Sequence, residues 1–283
     1  MSQAVRRSVL FTPGNRTDRW LKVVSESRAD VAVLDLEDAV PVDEKASARK
    51  AVAEALVKAA RTRTQRAVRI NAWPSVEAAR DLDALPKDVD LVVVPKVERA
   101  DDVSSLDKAL QERGITAKIL LIVETARGVL HVDRFPPASA RVVALGFGAE
   151  DYAAHVGARR TRRATEVLWA RSRVVAAAAA FGVAAIDQVF VDWKDAEGLA
   201  EECRFAAQLG FSGKMLIHPD QVRVAHEAFA PTAEDLAWAE KVLAAVDAAG
   251  AHEGGVVAVD GKMVDRPLIE QAKQIREWAK LPV

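Results

Sequence analysis

A (β/α)8 barrel of the α/β class, followed by a C-terminal helix–hairpin–helix appendage, is the fold this sequence predicts. Three observations lead there. Eight short apolar runs rich in β-branched residues alternate with stretches of helical spacing over about 225 of the 283 residues. That span is close to the ~250 residues usual for such a barrel. Most runs stop at a charged or turn-forming residue, as strands do where their carboxyl ends open on a ligand site. The final roughly 50 residues then abandon the alternation. The expected division is a barrel over 1–230 and an appendage over 231–283. An open doubly wound sheet shares the alternation and stands as the competing architecture.

The elements follow in order. Residues 8–12 (S-V-L-F-T) read as a buried strand broken by Pro13-Gly14-Asn15. Helical spacing over 18–25 puts Trp20, Leu21 and Val24 on one side. Residues 31–36 form a second strand ending in Glu37-Asp38. Pro41 and Asp43 open a helix to Ala59, with Lys45 and Arg49 four apart on one face. Residues 67–70 and 91–94 are the third and fourth strands; the first carries Arg69 and the second is closed by Pro95-Lys96. A helix over 101–112 follows. The runs K-I-L-L-I-V-E-T (118–125) and R-V-V-A-L-G-F-G-A-E-D (141–151) are strands five and six around a short helical segment. After Asp151 a loop is expected, containing Gly157 and the basic run Arg159 to Arg163. An Ala-rich helix over 165–181, a weaker strand over 184–189, a helix over 195–209, a strand over 213–217 and a helix over 221–229 complete the pattern. In the appendage, helices over 232–248 and 266–280 flank V-V-A-V, bracketed by Gly254-Gly255 and Asp260-Gly261, a hairpin signal.

Composition excludes several classes. A net charge of −1 provides no global field for nucleic acid or an anionic membrane. The lone cysteine, Cys203, rules out an internal disulfide and suits a reducing compartment. No apolar run approaches the ~20 residues of a membrane span, and the N-terminus has no signal-peptide core. A cytoplasmic protein is expected, with neither nucleic acid nor membrane as partner.

The polar residues cluster by position. Thr12-Pro13-Gly14, Glu37-Asp38, Arg69-Asn71, Lys96, Glu124, Glu150-Asp151 and His218 all fall at or just past strand ends, which a barrel turns toward one mouth. Glu124 and Asp151 are the candidate metal ligands. Carboxylates without cysteine or a nearby histidine favour Mg2+ over Zn2+, and Mg2+ keeps waters and takes substrate oxygens. Helix capping is the competing role for both. Arg69, inside an apolar strand, needs a counter-charge. It serves either an internal ion pair with Glu37 or a clamp on a substrate carboxylate and a developing enolate oxygen. Arg159 to Arg163 are either a solvated loop or a contact for a phosphorylated ligand. Trp73, just after the third strand, either lines the mouth or packs. Cys203 has no histidine signature for a nucleophile, and no Walker, G-x-S-x-G or dinucleotide fingerprint is present.

Taken together, R-R-S-V-L-F-T-P-G-N (6–15), V-L-D-L-E-D-A-V (33–40) with Lys45 and Arg49, V-R-I-N (68–71), V-V-P-K-V-E (93–98), I-V-E-T (122–125), L-G-F-G-A-E-D (145–151), G-K-M-L-I-H-P-D-Q-V (213–222) and D-G-K-M-V-D-R-P (260–267) resemble the citrate lyase beta-subunit-like proteins of the HpcH/HpaI aldolase superfamily, the CoA-ester lyases. The resemblance implies a (β/α)8 barrel in trimers or hexamers, with Mg2+ on Glu124 and Asp151. It implies that Arg69 binds the keto-acid part of the substrate and that Glu150 contacts it. CoA would lie over the mouth, touching Phe11, Arg19, Lys22 and the turn at Ile217-His218. Asp265 would be the catalytic acid/base, reaching a neighbouring subunit's site. Glu37 and Asp38 would order Arg69 and the waters of the metal. The implied reaction is reversible cleavage of a 3-hydroxyacyl-CoA, such as malyl-CoA or citramalyl-CoA, to acetyl-CoA and a 2-oxo acid. A citryl-CoA lyase subunit of a citrate lyase complex, a malyl-CoA thioesterase and a CoA-independent 2-oxo acid aldolase remain alternatives.

Overall fold

Eight parallel strands close on themselves in sequence order, in a computed structural model that describes residues 6–249 and 256–280. They are β1 (Ser8–Pro13), β2 (Val31–Asp35), β3 (Gln65–Arg69), β4 (Leu91–Val94), β5 (Lys118–Val123), β6 (Val142–Phe147), β7 (Ala184–Asp187) and β8 (Gly213–Leu216). The closing pair is β1 with β8, with Val9 opposite Met215. The barrel expectation holds, and the open sheet is excluded. Closure also removes the two exposed edges that an open sheet would have to protect.

Why these runs close is visible in their side chains. Val9, Val31, Val33, Ala67, Leu91, Val93, Leu120, Ile122, Ala144, Ile186 and Met215 pack together in the interior. Where one strand contributes two of them, as Val31 and Val33, Leu91 and Val93, and Leu120 and Ile122 do, they stand two residues apart, the period at which side chains share a face. Continuing the same period upward places Asp35 above Val33, Arg69 above Ala67 and Glu124 above Ile122. The alternation that builds the core therefore delivers charged groups to the mouth.

The helices between barrel strands are α1 (Thr17–Glu26), α2 (Lys45–Lys58), α3 (Val76–Ala84), α4 (Ala100–Glu112), α5 (Ala126–His131), α6 (Ala149–Val156), α7 (Leu168–Ala180) and α8 (Ala196–Leu209), and α9 (Asp220–Phe229) follows the last strand. Two differ from the sequence expectation. α3 was not anticipated, although Ser75 caps it by accepting from the Ala78 amide at 3.1 Å. α6 occupies the stretch expected to be a loop after Asp151. It ends at Gly157, whose left-handed φ of 70° closes the helix as glycine does after a last turn.

Buried polar contacts brace the frame. The Lys45 ammonium donates to the Leu36 and Glu37 carbonyls at 2.7 and 2.8 Å and to Asn71 Oδ1 at 2.8 Å, so α2 holds the loop that follows β2. Arg49 reaches Asp81, which in turn accepts from the Asn71 amide at 2.7 Å. Behind β7 and β8, Asp187 receives Arg171 of α7 and Lys214 of β8, all three fully buried.

The chain divides into two compact units, Met1–Ala225 and His226–Val283. The second contains α10 (Ala233–Ala249), an antiparallel hairpin of β9 (Val257–Val259) and β10 (Lys262–Val264), and α11 (Arg266–Ala279). Ala239, Val242, Val246, Val257, Val264, Ile269 and Ala272 form its own core. The hairpin at Asp260-Gly261 is as expected; Gly254-Gly255 lie outside the described residues. Among the described residues no helix is long and apolar enough to cross a membrane.

Candidate active site

A cavity of about 380 Å³ opens at the carboxyl ends of the strands. Asp35, Asp38, Arg69, Glu124, Glu150 and Asp151 line it, with Phe11, Ile122, Val189, Met215 and Ile217 as apolar wall. A polar constellation set in an apolar concavity is the usual form of a small-molecule site.

Arg69 is its fixed point. Asp35 and Arg69 are cross-strand partners on β2 and β3. The guanidinium donates from Nε and Nη2 to the two Asp35 oxygens at 2.7 and 2.5 Å, a bidentate pairing. Its Nη1 lies 3.0 Å from Glu37 Oε2, and the Phe11 ring sits 5.2 Å beneath it. Burial works against the cation, but the Asp35 hydrogen bond and the charges of Asp35, Glu37 and Glu124 outweigh it and raise the pKa of Arg69 above its ordinary value. Two of the five N–H groups of a guanidinium are spent in these hydrogen bonds, leaving others for a ligand. Both roles weighed from sequence are thus compatible in one side chain. Asp35, the principal partner, was not among the residues singled out there.

Lys96 is the second organiser. It follows β4 with a left-handed φ of 55°, a conformation that costs a side-chain-bearing residue energy. In that conformation its amide donates to Glu124 Oε1 at 2.9 Å, while its ammonium bonds Glu37 and Asp38. Burial, with the like charge of Asp38, keeps the Glu37 carboxyl above its ordinary value, and Arg69 and Lys96 offset only part of that rise. Glu37 is therefore tied to both Arg69 and Lys96, and Asp38 to Lys96 alone.

Glu124 is 3% exposed, and its pKa is pushed up to about 8. Burial is the main cause. The like charges of Asp151 and Glu37 add to it, against Arg69 and the Lys96 amide. Gly148 makes room for it: a Cβ there would stand 2.6 Å from the Glu124 Cβ, so only glycine passes. Asp151 sits exposed in the first turn of α6, and with Glu150 it faces the cavity. Crowded carboxylates at a buried point are what a bound cation relieves. No group of three or more His, Cys, Asp or Glu able to hold a metal occurs among the described residues. A pair of hard oxygen donors does not suit a closed zinc centre, but it fits an ion that retains water and takes ligand oxygens.

The remaining expected residues distribute unevenly. Glu150 accepts from Arg160 Nε at 2.9 Å. Ile217 is on the cavity wall, while His218 stacks on Trp193 with ring centroids 4.1 Å apart. The Ile217 and His218 amides both donate to Gln221 Oε1, fixing that turn. Arg19 and Lys22 are exposed on α1 and do not border the cavity. Trp73 donates to Ser105 Oγ at 2.9 Å, away from the cavity lining. Asp265 belongs to the second unit, at the N-cap of α11.

Fold and site define a class: a (β/α)8 barrel whose mouth sets a carboxylate pair beside an acid-braced arginine. The chain belongs to the HpcH/HpaI aldolase/citrate lyase family, whose family model matches residues 7–219. Citrate lyase subunit beta of Haemophilus influenzae is 36% identical over 288 residues, covering 98% of this chain and 97% of the relative. Mitochondrial citramalyl-CoA lyase of Rattus norvegicus is 35% identical over 290 residues, covering 95% and 85%. Among solved structures, CitE of Mycobacterium tuberculosis in complex with magnesium, acetoacetate and coenzyme A superposes with a TM-score of 0.81 at 37% identity, covering 98% of both chains.

Proposed function

We propose that this protein is a magnesium-dependent carbon–carbon lyase that cleaves a 3-hydroxyacyl-CoA of the malyl-CoA or citramalyl-CoA type to acetyl-CoA and a 2-oxo acid. The observation that carries the reading is the buried Glu124 carboxylate, crowded by Asp151 and Glu37 beside Arg69 at the barrel mouth. The citramalyl-CoA lyase relative and the CitE complex with magnesium, acetoacetate and coenzyme A support the substrate class.

Glu124 and Asp151 would hold the magnesium ion. When bound, it supplies Lewis-acid polarisation of oxygen at the reacting carbon. The chain's own residues do the rest. The free N–H groups of Arg69 hold the substrate carboxylate and the oxygen that gains charge. Asp35 keeps that guanidinium in one plane, so its donors are in place before the reaction. Lys96, through its amide and its ammonium, holds Glu124, Glu37 and Asp38 in register. In the cleavage direction the hydroxyl passes its proton to the Asp265 carboxylate of a neighbouring subunit, which later returns it to the enolate carbon, and the carbon bearing the hydroxyl becomes the carbonyl of the 2-oxo acid. The electron pair of the broken C–C bond passes into the thioester as an enolate. Protonation of the enolate carbon by Asp265 of a neighbouring subunit gives acetyl-CoA. Phe11, Ile217 and Val189 wall off the reacting end, and Arg19, Lys22 and His218 serve the CoA moiety. A homotrimer or hexamer in the cytoplasm is the assembly this reading requires.

Citrate lyase subunit beta among the relatives favours a second reading, a subunit that acts only within a complex. The test is to offer the purified chain malyl-, citramalyl-, methylmalyl- and citryl-CoA with Mg2+ and to follow release of acetyl-CoA and oxo acid. Turnover of a CoA ester by the chain alone is expected. Release of free CoA without oxo acid would point to a thioesterase, and inactivity toward every ester would sink the autonomous-lyase reading. Glu124→Gln should lose turnover and Mg2+ affinity together; full activity of that variant in a chelator would rule the ligand assignment out.

A further inference from the structure

The basic run Arg159 to Arg163 is only partly accounted for by the mouth. Arg160 binds Glu150 and Glu166, and Arg162 lies 3.4 Å from Asp195 and 3.8 Å from Glu201. Arg163 is exposed and has no ion pair among the described residues. It borders a separate cavity of about 360 Å³ between this loop, α7 and α8, which shares no lining residue with the mouth.

The inner wall of that cavity carries Arg171, which is fully buried. Its Nε and Nη2 donate to Asp187 at 3.0 and 2.9 Å, and the Phe205 and Phe211 rings lie 5.3 and 5.7 Å from it. The guanidinium is thereby locked in position, yet its Nη1 is buried without a hydrogen-bond partner. A buried donor left unmade is costly, and native folds rarely retain one without a reason. The acids on the wall are already engaged: Glu202 by Lys214 and Gln188, Glu201 by Arg162. The Gly198 amide, at the start of the 14-residue helix α8, donates to the Asp195 side chain at 2.8 Å, so that helix end is already capped and the positive character of the cavity comes from the arginines. Phe190 and Phe205 make the rest of the wall apolar.

We propose that this cavity is a second anion-binding site, which takes a phosphate or carboxylate group carried on a small apolar body. Arg171 Nη1 is the inner donor and Arg163 the rim charge. The full chain, without Mg2+ and at about 0.15 M salt, where the Debye length is ~8 Å, is titrated calorimetrically with inorganic phosphate and with benzoate. The probe that binds identifies which oxyanion chemistry the site prefers. Saturable binding of at least one probe is expected, weakened about tenfold by Arg163→Glu, which replaces attraction by repulsion at the rim. The control Arg159→Glu reverses an exposed charge of the same loop that does not border the cavity, and should stay within about twofold. No saturable binding of either probe overturns the proposal, as does binding that Arg163→Glu weakens no more than Arg159→Glu does.

Discussion

Replacing Asp35 by asparagine isolates the pairing on which the mouth is built. Asp35 is 2% exposed and accepts from Arg69 Nε and Nη2 and from the Glu37 amide at 2.9 Å. Asparagine keeps the shape but removes the charge and turns one acceptor into a donor facing an arginine N–H. Removing one partner of a buried ion pair costs about 3–5 kcal/mol. Arg69 retains Glu37 and Glu124 as counter-charges, so the lower end, about 3 kcal/mol, applies. A unit of this size shifts its Tm by about 2–4 °C per kcal/mol, which places Asp35→Asn roughly 6–12 °C below the parent. The freed guanidinium also loses its orientation, and a displacement near 1 Å costs on the order of 10²-fold in rate. Thermal melts and turnover of the best CoA ester read the two effects separately. A Tm within about 2 °C of the parent, with turnover within about threefold, would refute the idea that Asp35 fixes Arg69.

Gly148→Ala should press on Glu124, costing about 1–3 kcal/mol as overpacked positions do. It should also weaken Mg2+ binding, and unchanged metal affinity by calorimetry would show that the carboxylate has room to spare. Burial pushes the Cys203 thiol up to about 12 from 9.0. The folded chain therefore keeps a proton that the unfolded chain releases, and stability declines as pH rises above about 9, by about 1.4 kcal/mol per unit. Urea titrations at about pH 8 and pH 10.5 should show that slope in the parent and lose it in Cys203→Ala; an unaltered slope would exclude Cys203 as its source. Mixing Arg69→Ala chains with Asp265→Ala chains should restore part of the activity in hybrid oligomers. Failure to recover it, with both variants folded and assembled, would count against a shared site.

Local signals carried much of this architecture. Short continuous apolar runs rich in β-branched residues and bounded by Pro, Gly and acids located all eight strands to within a few residues, because strands buried on both faces read as unbroken apolar stretches and turn chemistry acts over neighbouring positions. A charge inside an apolar run singled out Arg69, and an acid at the end of one singled out Glu124. Two helices escaped. Ser75 and Glu77 announce α3 only weakly, and Gly157, a loop signal in the sequence, terminates α6.

The sequence by itself determined the barrel, its order and the kinds of groups at its mouth, since these depend on the spacing of apolar and charged residues along the chain. Only the tertiary structure decided who meets whom. Asp35 pairs with Arg69 across 34 positions, the Lys96 amide finds Glu124 across 28, and its ammonium finds Glu37 across 59. It also decided that Gly148 must yield space to Glu124 and that Arg171, whose Nη1 has no hydrogen-bond partner, lines a cavity bordered by Arg163. Such partners are set by strand register and helix packing, which close contacts between residues remote in the chain, and no periodicity within a strand or helix encodes them.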